Sequence, residues 1–212
     1  MIKDKRFEKI HEGVYQELLK ANHHFKIFWS IRTAPNEISK ATRVHLTFFF
    51  FTMWANSDRF CLALNNILKH SKNTYHFYKL FNYIRSHPKL SALISEEEIV
   101  EMEETINSHE DLIERLRKVR DKYIAHKEII PEHLKEEITY KYEEGKELLI
   151  DLNNILQKLS HAYDSSGYCH DDNNLLSTSL SLNVEYVLRS LTEHYNRPLE
   201  QRGVVDINAT KT

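Results

Sequence analysis

The sequence predicts an all-α protein, a helical bundle of four to five long helices with an insertion of short helices. Its 212 residues include only four glycines and four prolines, well under the combined share of roughly 12% in average proteins, so turns must be few and elements long. Apolar residues recur at helical spacing over long segments, and no segment shows the alternation of a strand bounded by turn residues. One helical core should therefore account for most of the chain.

The first two long helices are predicted on either side of a short break. Apolar residues from Phe7 onward recur at helical spacing and predict a helix over about residues 3–32. The stretch TAPNE, residues 33–37, interrupts this pattern, and Asn36 can cap a second helix over about residues 38–70.

The second predicted helix contains the aromatic run LTFFFFTMWA, residues 46–55. A helix that spans a membrane needs about 20 mainly apolar residues, twice the length of this run, so we expect no membrane span. A helix that is apolar nearly all round belongs at the centre of a bundle or in a subunit interface. We therefore expect the aromatic run to be buried, as core or in a subunit interface, and core is favoured over a platform for stacked bases.

The middle of the chain combines an irregular region with a third long helix. Between about residues 71 and 95 the apolar pattern loosens, which predicts an insertion of short helices stopped by His87-Pro88. Ser95 and Glu98 then have the S-x-x-E form of a capping box, and helical spacing continues through Tyr123.

A fourth long helix and a closing helix complete the predicted bundle. Pro131 ends or kinks the third helix, and helical spacing resumes over residues 132–161. A polar loop over residues 164–174 precedes the closing helix. The expected organisation is a single domain over residues 1–195, followed by a polar tail over residues 196–212.

Composition excludes several classes of function. The 29 lysines and arginines nearly balance 31 aspartates and glutamates, so the whole chain lacks the strong positive charge of many proteins that bind nucleic acids or anionic membranes. Cys61 and Cys169 lie far apart, which argues against a disulfide framework and a structural zinc site. The N-terminus has no apolar secretory signal, so a cytoplasmic location is expected.

No cofactor or metal ion is predicted. The chain has no glycine-rich phosphate-binding motif and no H-E-x-x-H zinc motif. The loop sequence Cys169-His170-Asp171-Asp172 offers side chains that can bind metals, but it lacks a second ligand pair and is interpreted as a polar loop.

The stretch VRDKYIAHKEIIP, residues 119–131, carries the candidate chemistry. Its Arg120, Asp121 and His126 resemble the signature of the HEPN superfamily, in which an arginine and a polar residue precede a histidine after four to six intervening residues. The form R-D-K-x-x-A-H is similar to that of the AbiU-type abortive-infection group. The resemblance implies a metal-independent endoribonuclease of phage defence or of a toxin–antitoxin system. It also implies a homodimer, with Arg120 and His126 catalytic and Asp121 supporting them, and a toxin of this kind can have an antitoxin partner.

The chemistry of these side chains suits RNA cleavage. Histidine transfers protons near neutral pH, and arginine offers a permanently charged fork of donors that matches phosphate oxygens. Lys122 and Lys127 are possible contacts to the RNA backbone.

Helical geometry limits how Arg120 and His126 can act together. Six residues of a regular helix rise about 9 Å and leave the two side chains roughly 120° apart. Arg120 and His126 would therefore need a local irregularity, the reach of the long arginine, or pairing across a dimer to act together.

Structural roles for the same residues remain open. His126 falls on an apolar stripe with Leu112, Leu116 and Val119, where a core histidine would also fit. Arg120 could be a surface residue paired with Glu114, Asp121 or another carboxylate. The chain would then be a non-catalytic HEPN-like binding or assembly module.

Overall fold

The computed structural model describes residues 4–33, 46–69, 73–125, 140–163, 186, 187 and 189. All regular structure within these residues is helical, which confirms the predicted all-α class. The elements are α1 (Lys5–Arg32), α2 (Leu46–Leu68), α3 (Phe77–Arg85), α4 (Pro88–Ser91), α5 (Glu96–Asn107), α6 (Glu110–Val119), a π-helical turn (Arg120–Ala125) and α7 (Tyr142–Tyr163). Across this described part, none of the helices combines the length and apolar character that crossing a membrane requires.

Helix α1 matches its predicted range and forms one wall of the core. The Asp4 carboxylate caps it by accepting hydrogen bonds from the backbone N–H groups of Arg6 and Phe7, each at 3.0 Å. Its buried face follows the helical repeat from Phe7 to Phe28. This face packs mainly against α2 and also contacts α3 and α7.

Helix α2 is buried differently from the prediction. Its second half contributes core residues, among them Phe60, Leu64 and Ile67. In the aromatic run, Phe49 is buried, whereas Phe48, Phe50, Phe51 and Trp54 are exposed. The expectation that the run is core is therefore wrong for a single copy, because only one side of this part of α2 faces α1. Asn36 and residues 38–45 lie outside the described residues.

The short helices of the predicted insertion belong to the common core. Phe77, Leu80, Phe81 and Ile84 of α3 are fully buried and pack in the same cluster as α1 and α2. Pro88 occupies the first turn of α4, where its missing N–H costs no hydrogen bond, so the predicted stop at His87-Pro88 is confirmed.

The capping box is confirmed, but the helix it starts is shorter than predicted. The Glu98 backbone N–H donates to Ser95 Oγ at 3.2 Å, and the Ser95 N–H donates to Glu98 Oε2 at 2.9 Å. The predicted continuous helix breaks at Ser108 and His109 into α5 and α6. His109 Nε2 lies 2.8 Å from Asp151 Oδ2 of α7, a tertiary contact that sequence spacing does not reveal.

Helix α7 closes the core against α1. Leu148, Leu149 and Leu152 are fully buried, and Gly145 lies directly against the ring of Phe25. The predicted fourth helix is observed over Tyr142–Tyr163, and its predicted start is too early because Tyr140 and Lys141 are not helical. Pro131, residues 132–139, the loop 164–174, most of the closing helix and the tail 196–212 lie outside the described residues.

Candidate functional site

The candidate motif begins where the regular α-helix ends. Helix α6 stops at Val119, and Arg120–Ala125 form a single π-helical turn. The Arg120 backbone N–H still donates to the carbonyls of Leu116 and Arg117. Such turns have i→i+5 hydrogen bonds, are rare, and occur frequently at functional sites. Sequence spacing predicted regular helix through Tyr123 and gave no signal for this change.

The π-helical turn is a local irregularity, but it does not by itself unite the motif. Positions six residues apart share a face when each residue turns by about 120°, as in a 3₁₀-helix. A π-helix is wider than an α-helix and turns by a smaller angle per residue. Its turn per residue is therefore further from 120°, and it does not bring positions 120 and 126 onto one face. His126 lies outside the described residues, so its place relative to Arg120 stays a prediction. The reach of the arginine and a second copy of the chain remain as ways to join them.

Arg120 is largely buried and has a carboxylate partner. Its side chain is 14% exposed, and its Nη2 forms an ion pair with Oδ1 of Asp121, which is 51% exposed. Glu114 instead accepts from Arg117 at 2.8 Å. Of the two carboxylates considered from sequence, the structure therefore joins Asp121 to the motif arginine.

The other motif residues differ in their surroundings. Lys122 is exposed at the surface, as a contact to an RNA backbone requires. Ile124 is half-buried and packs against the hydrophobic core, which fixes one side of the turn. The turn contacts α2 as well as α6. Lys127, like His126, lies outside the described residues.

A partly buried ion pair, which the sequence did not predict, joins α6 to α7. Arg115 of α6 donates to Glu144 through Nη2 at 2.6 Å and Nη1 at 3.3 Å. Glu144 also accepts the Lys141 backbone N–H at 2.6 Å. The hydrogen bond from Arg115 and that from Lys141 hold the pKa of Glu144 below its ordinary value, against the opposing effect of burial. The two residues are 29 positions apart, so only the fold reveals their pairing.

Next to this ion pair is an open cleft with aromatic and charged walls. Its lining residues are Trp29, Arg32, Arg115, Tyr140, Lys141, Tyr142, Glu143 and Glu144. The Arg32 guanidinium lies 5.4 Å from the centre of the Trp29 ring. Burial raises the pKa of the Tyr140 hydroxyl, which stays protonated at neutral pH. The lining carries three cationic and two anionic side chains, so the charge of the cleft is nearly balanced.

The described residues offer no cluster of metal ligands. Over the described ranges, no group of three histidine, cysteine, aspartate or glutamate side chains is placed to hold a metal ion. Cys61 is a free, buried cysteine, and the loop Cys169-His170-Asp171-Asp172 lies outside the described residues.

Comparison with known proteins identifies a family for this chain. The family model of the AbiU2 HEPN domain matches residues 4–187, which is most of the chain and includes the whole candidate motif. The same comparisons find no match to a curated protein and none to a solved structure.

Proposed function

Since the chain belongs to the AbiU2 family of HEPN domains, and so is an HEPN module related to abortive infection, we propose that it is a metal-independent endoribonuclease that acts as a homodimer. The observation that carries the proposal is the coincidence of the R-D-K-x-x-A-H motif with a π-helical turn that begins at Arg120. Its substrate is RNA, its setting is phage defence or a toxin–antitoxin pair in the cytoplasm, and an antitoxin protein is a further proposed partner.

The proposed reaction needs one base, one acid and one cation. His126 of one copy takes the proton of a ribose 2′-OH, and the 2′-oxygen attacks the neighbouring phosphorus. The bond from phosphorus to the 5′-oxygen breaks, and that oxygen receives a proton from the histidine of the second copy. The products are a 2′,3′-cyclic phosphate and a free 5′-OH. This step consumes no water, and the proposed mechanism uses no metal ion.

Arg120 stabilises the negative charge that develops on the phosphoryl oxygens. A guanidinium has five N–H donors, so the contact of Nη2 with Asp121 leaves other donors for phosphate. Because the side chain is mostly buried, its orientation is held before RNA binds, and its charge acts in surroundings less polar than water. Asp121 in this proposal positions Arg120. Lys122, and Lys127 as a further proposal, contact the RNA backbone.

Purified variants test the proposal against single-stranded RNA with EDTA present. We expect wild type to leave 2′,3′-cyclic phosphate ends, and Arg120→Ala and His126→Ala each to reduce the cleavage rate at least about 100-fold. Arg117→Ala is the matched control, because Arg117 is an arginine of α6, three positions before Arg120, with its own carboxylate partner. Its rate should stay near that of wild type. Absence of cleavage by wild type, or unchanged cleavage by folded Arg120 and His126 variants, contradicts the proposal.

A second candidate function is a non-catalytic binding or assembly module. The observation that favours it is the Arg120–Asp121 ion pair itself, because the pairing already neutralises the motif arginine. For this candidate, Arg120→Ala lowers stability or partner binding, and no variant or wild type cleaves RNA. Measuring thermal stability beside nuclease activity for the same variants separates the two candidates.

A further inference from the structure

The first half of α2 presents an aromatic face that nothing in the described part of the chain covers. The name aromatic face is used for the side of α2 that carries Phe48, Phe50, Phe51, Trp54 and Ala55. All five of these residues are exposed. At about 100° per residue these five positions span about 160° of the helix circumference. The buried residues Phe49 and Phe60 lie on the opposite side, toward the core. The exposed rings therefore form one continuous surface.

The area of this surface is large for a single protein molecule. The exposed fractions are 64% for Phe48, 49% for Phe50, 66% for Phe51 and 48% for Trp54. At about 200 Å² per aromatic side chain, these four rings leave about 450 Å² in water. The largest apolar patch of a typical monomer is about 300–600 Å² and often functional, so four side chains alone reach that range.

We propose that the aromatic face is the contact between two copies of this chain. The charge pattern favours this occupant, because residues 46–57 contain no lysine, arginine, aspartate or glutamate, and Asp58 and Arg59, one turn after Trp54 and Ala55, carry opposite charges. RNA and an anionic membrane surface would each require an excess of cations over anions beside the rings. A two-fold contact instead sets the same patch against itself, where aromatic rings can pair and no charge is left buried. If their rings were completely covered, two such faces would bury about 900 Å², more than half of a standard interface of about 1,600 Å².

The aromatic face lies on a helix that contacts the motif, which links the interface to the proposed function. This inference rests on the homodimer of that proposed function. The π-helical turn that begins with Arg120 contacts α2, the same helix that carries the aromatic face. Two copies joined through α2 would therefore carry their motif segments on elements that adjoin the interface. In this arrangement the catalytic turn is supported by the dimer and not by its own chain alone.

Phe48→Glu combined with Phe51→Glu tests the interface, because dimerisation would then bury unpaired charges. The matched control is Val100→Glu on α5, which places the same charge at another exposed apolar residue. Sedimentation equilibrium at micromolar concentration should show a dimer for wild type and the control. For the double variant we expect a dissociation constant at least 100-fold higher, with an unchanged helical circular dichroism signal.

Several outcomes would overturn this inference. They are a monomeric wild type, an undiminished dimer in the folded double variant, or a wild-type monomer that uses this face to bind RNA or vesicles of phosphatidylcholine and phosphatidylglycerol. If the double variant does not fold, Phe51→Ser combined with Trp54→Ser replaces it, and the dissociation constant should rise at least tenfold. A dimer that dissociates as expected but never cleaves RNA contradicts the proposed function and leaves the interface supported. A monomeric variant that cleaves at the wild-type rate likewise contradicts only the two-copy mechanism.

Discussion

Gly145 occupies a position where even a methyl group would disturb the core. A Cβ atom added there would lie 2.6 Å from Cε2 and 3.3 Å from Cζ of Phe25. The Phe25 ring cannot move aside easily, because it is 1% exposed and packs against the rings of Tyr142, Phe60 and Trp29. Its centroid distances are 5.4 Å to Tyr142, 5.1 Å to Phe60 and 6.2 Å to Trp29. Gly145→Ala therefore tests whether α1 and α7 are packed as closely as the structure shows.

Two effects of Gly145→Ala oppose each other. Alanine is favoured over glycine inside a helix by up to about 1 kcal/mol. Overpacking a closely packed core costs about 1–3 kcal/mol. The packing cost should be the larger, because the 2.6 Å contact is far inside van der Waals distance. We expect a net loss of about 1–2 kcal/mol in the free energy of unfolding, and at roughly 2–4 °C per kcal/mol a fall in Tm of about 2–8 °C.

The assay is thermal and urea unfolding followed by circular dichroism. Glu147→Ala, an exposed position on the same helix, serves as the control and should stay within about 0.5 kcal/mol of wild type. Phe25→Leu removes part of the obstructing ring, so Gly145→Ala should cost less in that background than in wild type. An alanine variant as stable as wild type, or an equal cost in both backgrounds, would refute the reasoning.

Three further predictions concern single contacts. Burial raises the pKa of the Cys61 thiol to about 12, so in a Cys169→Ser background a thiol reagent at pH 8 should react only after unfolding; fast reaction of the folded protein would contradict this. Ser95→Ala removes the hydrogen bond from the Glu98 backbone N–H to Ser95 Oγ. It should lower the free energy of unfolding, measured in urea, by about 1 kcal/mol, and no loss would show that this bond is dispensable. Because the folded-state pKa of Glu144 is lowered, the stabilisation from its pairing with Arg115 is present above the ordinary carboxyl pKa and is lost as pH falls through the lowered value. The difference in Tm between wild type and Glu144→Gln should then shrink from pH 7 to about pH 3, and a constant difference would refute the linkage.

Features set by near neighbours in the chain could be predicted from the sequence. The range of α1 follows from apolar spacing that begins at Phe7, and the start of α5 follows from Ser95 and Glu98, three positions apart. Both signals depend on hydrogen bonds or side chains within one or two turns, so they do not require knowledge of the fold. The motif with Arg120, Asp121 and His126 is local in the same sense, and the family match includes it.

The tertiary structure alone decided how these elements present their surfaces. Apolar content predicted that the aromatic run would be buried, but burial depends on which helices dock, and α1 covers only the Phe49 side of α2. The π-helical turn at Arg120 and the Arg115–Glu144 pair likewise arise where helices meet, from residues whose spacing gives no signal. Sequence thus determined which segments are helices and which side chains can do chemistry. Packing between distant segments determined which of those side chains are buried, paired or exposed to a partner, because contact energies depend on positions in space and not along the chain.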